Sequence, residues 1–121
     1  MQKELVEFCQ KNEIAVVAYC PLGRPGEDMG GRPSIMETDV VKSISAKVER
    51  SPAQVLLQWG LARGLSVIPK TGNKKRAEEN LACDDFVLSE DDMKALNGLD
   101  CNYRIVDSVR FGGMLNAPIF Y

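Results

Sequence analysis

Histidine is absent from these 121 residues. That absence removes Ser–His and Cys–His nucleophilic catalysis, and any histidine-ligated metal, from what the chain can do by itself. Long apolar runs are also missing. The longest is residues 14–20, well short of the roughly 20 residues a membrane-crossing helix needs. The opening Met1-Gln2-Lys3-Glu4 has no signal-peptide architecture. The four cysteines (Cys9, Cys20, Cys83 and Cys101) include no CxxC pair, which excludes a zinc ribbon and a thioredoxin-type motif. They read as reduced, mostly buried thiols in a cytoplasmic protein. No large charge excess exists either, since 15 Lys and Arg face 17 Asp and Glu for a net charge of −2. Neither a nucleic-acid surface nor an anionic-membrane surface is expected. Any anion site must come from a local cluster.

What is present fits one globular unit. Apolar residues make up 45% and charged residues 26%, which matches ordinary globular composition. Residues 3–12 place Leu5, Phe8 and Cys9 at helical spacing with Glu and Lys on the other face. Residues 14–19 are continuously apolar and partly β-branched, so they read as a strand buried on both faces, stopped by Pro21. Residues 23–37 lack periodicity and carry Arg24-Pro25-Gly26 and Gly30-Gly31-Arg32-Pro33; a loop this long suggests function. Thr38 and Asp39 offer caps for a helix running to about Arg50 through Val40, Val41, Ile44 and Val48. Ser51-Pro52-Ala53-Gln54 restarts the chain as a capping box with proline at the first helical position. Val55, Leu56, Trp59 and Leu61 form that helix's apolar body, Trp59 reads as core, and Gly64 fits the C′ position. Residues 65–69 make a second strand. A helix follows from Lys74 to about Cys83, and Ser89-Glu90-Asp91-Asp92 caps another one carrying Met93, Leu96 and Leu99. The acids at 84–85 and 90–92 read as cap chemistry on a solvated face, and Lys42 and Lys47 as ordinary helix-surface residues. From Cys101 the periodicity is lost, and residues 101–121 read as a tail that must pack on something.

Strands alternating with helices predict an α/β fold with parallel pairing. Two such strands cannot close a sheet, so their outer edges stay unpaired and one or both of their faces uncovered. Residues 1–121 therefore read as a single partial domain, with helix and strand units over 1–100 and the tail over 101–121. Self-association through the uncovered sheet edges is a corresponding expectation.

The chemistry concentrates in residues 66–80. Lys70, Lys74, Lys75 and Arg76 fall within seven residues. Three of them occupy the first turn of the expected helix, where the positive end of the macrodipole disfavours cations. A local rule broken this way marks a site, and a bound anion repairs it. Taken alone, the cluster reads equally well as a solvated basic loop.

Three motifs in order bear a resemblance. Val16-Val17-Ala18-Tyr19-Cys20-Pro21-Leu22-Gly23 resembles the seventh-strand segment of the aldo-keto reductase family. Ser51-Pro52-Ala53-Gln54-Val55-Leu56-Leu57-Gln58-Trp59 is similar to its following helix. Val67-Ile68-Pro69-Lys70-Thr71, with Arg76 and Glu79-Asn80 downstream, resembles its Ile-Pro-Lys-Ser motif. The resemblance covers essentially the whole chain and implies the C-terminal part of a (β/α)8 TIM barrel: about two strands, flanking helices and a tail. It implies NADP(H) as cofactor, with a phosphate site after the last strands. Tyr19 would stack on the nicotinamide, with Cys20 and Leu22 along the pyrophosphate. Lys70, Thr71 and Arg76 would hold the 2′-phosphate. Glu79 and Asn80 would address the adenine, and Ala53 and Ile68 would pack beside the cofactor. Residues 23–37 read either as a lid over the pyrophosphate or as a long connection, with the lid the preferred reading. On spacing alone, Tyr19 reads as a strand-end core aromatic.

The resemblance further implies an oxidoreductase that reduces aldehydes or ketones to alcohols, with a small carbonyl substrate in the full-length parent. The family's Asp, Tyr, Lys and His lie on earlier strands. No catalytic residue and no metal ligand is therefore assigned, and the chain alone is expected not to turn over. Cys20 and Thr71 stand where the family has serine. The alternative is a non-catalytic nucleotide-binding or assembly module of the same fold.

Overall fold

The computed structural model describes residues 1–26 and 33–103. Its order is α1 (Lys3–Lys11), β1 (Val17–Ala18), a 3-10 turn (Ile35–Glu37), α2 (Asp39–Val48), α3 (Pro52–Ala62), β2 (Ser66–Val67), α4 (Lys74–Leu81) and α5 (Glu90–Asn97). The 3-10 turn lies inside the stretch expected as loop, and the fourth helix stops before Cys83. The expected tail from residue 104 and loop residues 27–32 lie outside the described residues.

The helix starts follow local chemistry. Thr38 accepts from the Val41 amide at the head of α2. Ser51 and Gln54 form a complete capping box at the head of α3, where Pro52 needs no donor. Ser89 and Asp92 do the same for α5. Gly64 closes α3 in a left-handed conformation at φ +75°, as a C′ glycine does.

The core is helical. Val41 and Ile44 of α2 meet Val55 and Leu56 of α3 and Leu88 and Leu96 from around α5. Trp59 packs half-buried against this cluster, its indole N–H donating to Asn97 Oδ1 at 2.9 Å. The Arg63 guanidinium lies 4.7 Å above the Trp59 ring.

The strand pair is parallel, with Val17 beside Ser66 and Ala18 beside Val67. It is shorter than the apolar runs suggested. One face, carrying Val67, lies on α3. A Cβ at Gly60 would stand 2.9 Å from Val67 Cγ1, so glycine is what permits this approach. The other face is bare: Val17 is 53%, Tyr19 71% and Ile68 57% exposed. The apolar runs read as strands buried on both faces, but no described residue covers the outer side, as expected of two strands that cannot close a sheet. The amphipathic helix expected over residues 3–12 is present as α1, but its apolar face is largely uncovered, with Val6 buried and Phe8 61% exposed. Of the cysteines, Cys83 is buried, Cys9 and Cys20 are partly covered and Cys101 is exposed, so the thiols are not mostly buried.

Lys47 is more than a surface residue. Its Nζ reaches both Asp92 carboxylate oxygens, at 3.0 and 2.8 Å, and ties α2 to the α5 cap. Burial alone would raise the Asp92 pKa. The hydrogen bonds from Lys47 and Ser89 overcome it and hold the carboxyl below its ordinary 3.8.

Two outcomes are expected. Helix propensity alone favours Gly60→Ala by about 1 kcal/mol. Overpacking against Val67 opposes it by about 1–3 kcal/mol, so the substitution should lower denaturant stability. In a Val67→Ala background the same change should become stabilising, and no sign reversal would refute the contact. The Lys47–Asp92 link is complete above the unfolded carboxyl pKa and is lost as pH falls through the lower folded value. Asp92→Ala should cost about 1–2 kcal/mol at pH 7, as caps do. It should also flatten the stability–pH curve below pH 3.8, and an unchanged acid limb would remove Asp92 from the explanation.

Candidate functional site

Tyr19, Cys20, Ile68, Lys70 and Thr71 follow the two strands along one edge. Both strands run in the same direction, so the segments that follow them leave from the same end. Continuing the register by one step sets Tyr19 beside Ile68. After β1, Cys20 takes a left-handed φ of 52°, and Gly23 N–H donates back to Cys20 O at 2.9 Å. This turn folds Leu22 onto the helical core. After β2, Lys70 and Thr71 lead into α4.

Two side-chain hydrogen bonds from its own loop organise the start of α4. Thr71 Oγ1 accepts from the Asn73 amide at 3.1 Å. Asn73 Oδ1 accepts from the Arg76 amide at 3.1 Å, which makes Asn73 the N-cap. Sequence reasoning passed over Asn73, although an asparagine just ahead of a helix is a strong cap signal. The amides of Lys74 and Lys75 find no acceptor among the described residues.

The cations remain against the dipole. Lys74 pairs with the exposed Glu78 at 4.0 Å and Lys75 with the half-buried Glu79 at 3.9 Å. Both pairs run Lys-to-Glu along the helix, the less favourable order. Neither Lys70 nor Arg76 has an acidic partner among the described residues, and both are exposed. Two free cations in the segment that opens α4, together with two open N–H groups, match a dianionic phosphate in charge and in donor type. The Thr71 hydroxyl is already engaged by its own loop, so its share in such a site is small.

Other nominations sit apart. Ala53, in the first turn of α3, adjoins Gln54, whose Nε2 donates at 3.1 Å to the Ala82 carbonyl past the opposite end of α4. Glu79 and Asn80 are half-buried along α4. A groove of about 510 Å³ separates α4 from α3 and β2, lined by Leu61, Val67, Ala77 and Leu81 with Thr71 and Asn80. It holds Asp84 and neither Lys70 nor Arg76, so it is no phosphate site. Among the described residues no acidic or cysteine cluster is arranged for a metal, and no helix is long and apolar enough to cross a membrane.

The family model described as the aldo/keto reductase family matches residues 1–100. The chain belongs to the aldo/keto reductase family. It is 40% identical over 125 residues to a probable NAD(P)H-dependent D-xylose reductase of Aspergillus niger, covering 98% of this chain and 39% of that one. Aldose reductase C of Dictyostelium discoideum is 39% identical, covering 93% of this chain and 33% of that protein. Aldo-keto reductase family 1 member C1 of Macaca fuscata fuscata is 36% identical, covering 97% of this chain and 37% of that protein. The chain thus spans between 33% and 39% of the length of these relatives.

The cap can be checked directly. Asn73→Ala should weaken the first turn of α4 by about 1 kcal/mol. Amide exchange at Arg76 should speed up accordingly, and an unchanged rate would mean the Asn73 side chain contributes nothing.

Proposed function

We propose that residues 1–121 form one partial domain, the cofactor-holding C-terminal part of a (β/α)8-barrel reductase specific for NADPH. In this reading Lys70 and Arg76 bind the 2′-phosphate, with Thr71 shaping the loop. Glu79 and Asn80 face the adenine, and Tyr19 offers its ring to the nicotinamide. Cys20 and Leu22 line the pyrophosphate, with Ala53 and Ile68 as packing neighbours. NADPH, when bound, supplies a hydride to an aldehyde or ketone. This chain's share is binding and orientation, because its residues provide no histidine and no assigned acid. The observation that carries the reading is the pair of unpartnered cations, Lys70 and Arg76, beside the open amides of α4. The relatives named NAD(P)H-dependent reductases support a nicotinamide cofactor.

A second reading, a non-catalytic module that assembles through its strand pair, draws on the bare face bearing Val17, Tyr19 and Ile68. A clear NADPH-oxidation rate from the purified chain with a panel of aldehydes would overturn the view that it does not turn over alone. The cofactor assignment predicts that Arg76→Ala weakens NADPH about 10- to 100-fold, the worth of a charge-assisted contact. NADH binding should change by less than about twofold. Equal losses for both, measured by calorimetry, would defeat the 2′-phosphate assignment.

A further inference from the structure

We propose that α4 is a hinged arm, fixed at its C-terminal end and weakly formed at its N-terminal end, which a 2′-phosphorylated adenine nucleotide draws into order. This rests on the reading of Lys70 and Arg76 as the cradle for that phosphate.

An eight-residue helix cannot stand alone, since isolated helices shorter than about 12–15 residues are marginal in water. Packing must hold it, yet none of its residues is buried. Its apolar side chains fare no better: Ala77 is exposed and Leu81 is 84% exposed. Behind them a groove opens between α4 and the α3–β2 corner. Electrostatics weaken the first turn further. Lys74, Lys75 and Arg76 crowd the positive end of the dipole, and both ion pairs run in the poorer order at 3.9–4.0 Å.

The two ends differ. Beyond the last turn, Cys83 is 6% exposed and the Ala82 carbonyl is held by Gln54 Nε2 at 3.1 Å. Before the first turn stands Gly72, with nothing within 4 Å of where its Cβ would lie. The arm is therefore clamped just past Glu79 and Asn80 and loose where the cations are. A dianion between Lys70 and Arg76 relieves the repulsion among the first-turn cations and gives the Lys74 and Lys75 amides an acceptor. Ordering consumes part of the binding free energy, so a pre-ordered arm binds more tightly.

The test is hydrogen exchange on the full chain with and without 2′,5′-ADP, alongside calorimetric affinity. The expected result is binding together with exchange slowed about tenfold or more over residues 74–79. Binding with those amides equally protected beforehand would overturn the arm and leave the phosphate site standing. No binding would overturn both. Gly72→Ala, at a position with open space and no left-handed φ, separates the arm further. By restricting the loose state it should tighten 2′,5′-ADP about two- to fivefold and raise protection in the free chain. Unchanged or weaker affinity would refute the coupling.

Discussion

The contact of Val67 with the backbone at Gly60 joins two structures that could not otherwise be held together. On one side is a pair of strands with two residues each, too small to be stable alone. On the other is the helical core, in which α3 contributes Val55 and Leu56 against α2 and α5. A missing Cβ lets the strand settle onto the helix, and Leu65 N–H donates to Gly60 O at 3.2 Å to finish the corner. Gly64 adds the reversal that sends the chain from helix to strand, and Gln10 Nε2 reaches the adjacent Arg63 carbonyl at 2.8 Å. The edge bearing Tyr19, Ile68 and Lys70 takes its position from this corner.

The polar side of α3 performs a complementary task. Gln54 and Gln58 donate to the carbonyls of Ala82 and Phe86, so the link between α4 and α5 lies along the helix. Arg50 reinforces it with a forked pair to Asp85 at 3.0 and 3.1 Å, its guanidinium also 5.7 Å from the Phe86 ring centre. These contacts make residues 82–88 firm, and they explain how one end of α4 is secured while its own surface stays solvated.

Helix starts and stops were readable from the chain because their causes are local. Ser51 with Gln54, Ser89 with Asp92, Thr38 and Gly64 each satisfy their own terminus within a few residues. Burial was less readable because it depends on what covers a face. The apolar run around Val17 and the stripe on α1 predict partners that the described residues do not include. Lys47 does lie on the helix surface, but its ion pair was hidden for a related reason, since Asp92 is distant in sequence and nothing near Lys47 announces the pairing. In the candidate site, the misplaced cations were visible as a broken electrostatic rule, and the three ordered motifs matched a family that the comparisons bear out. Asn73 and the engaged Thr71 hydroxyl needed coordinates, because a hydrogen bond within a loop has no periodicity to betray it.

Trp59 is the chain's single tryptophan, and its surroundings define what it can report. Its indole is fastened to Asn97 on α5 and its face is covered by Arg63 at the end of α3. Intrinsic fluorescence is consequently a gauge of the docking between these two helices.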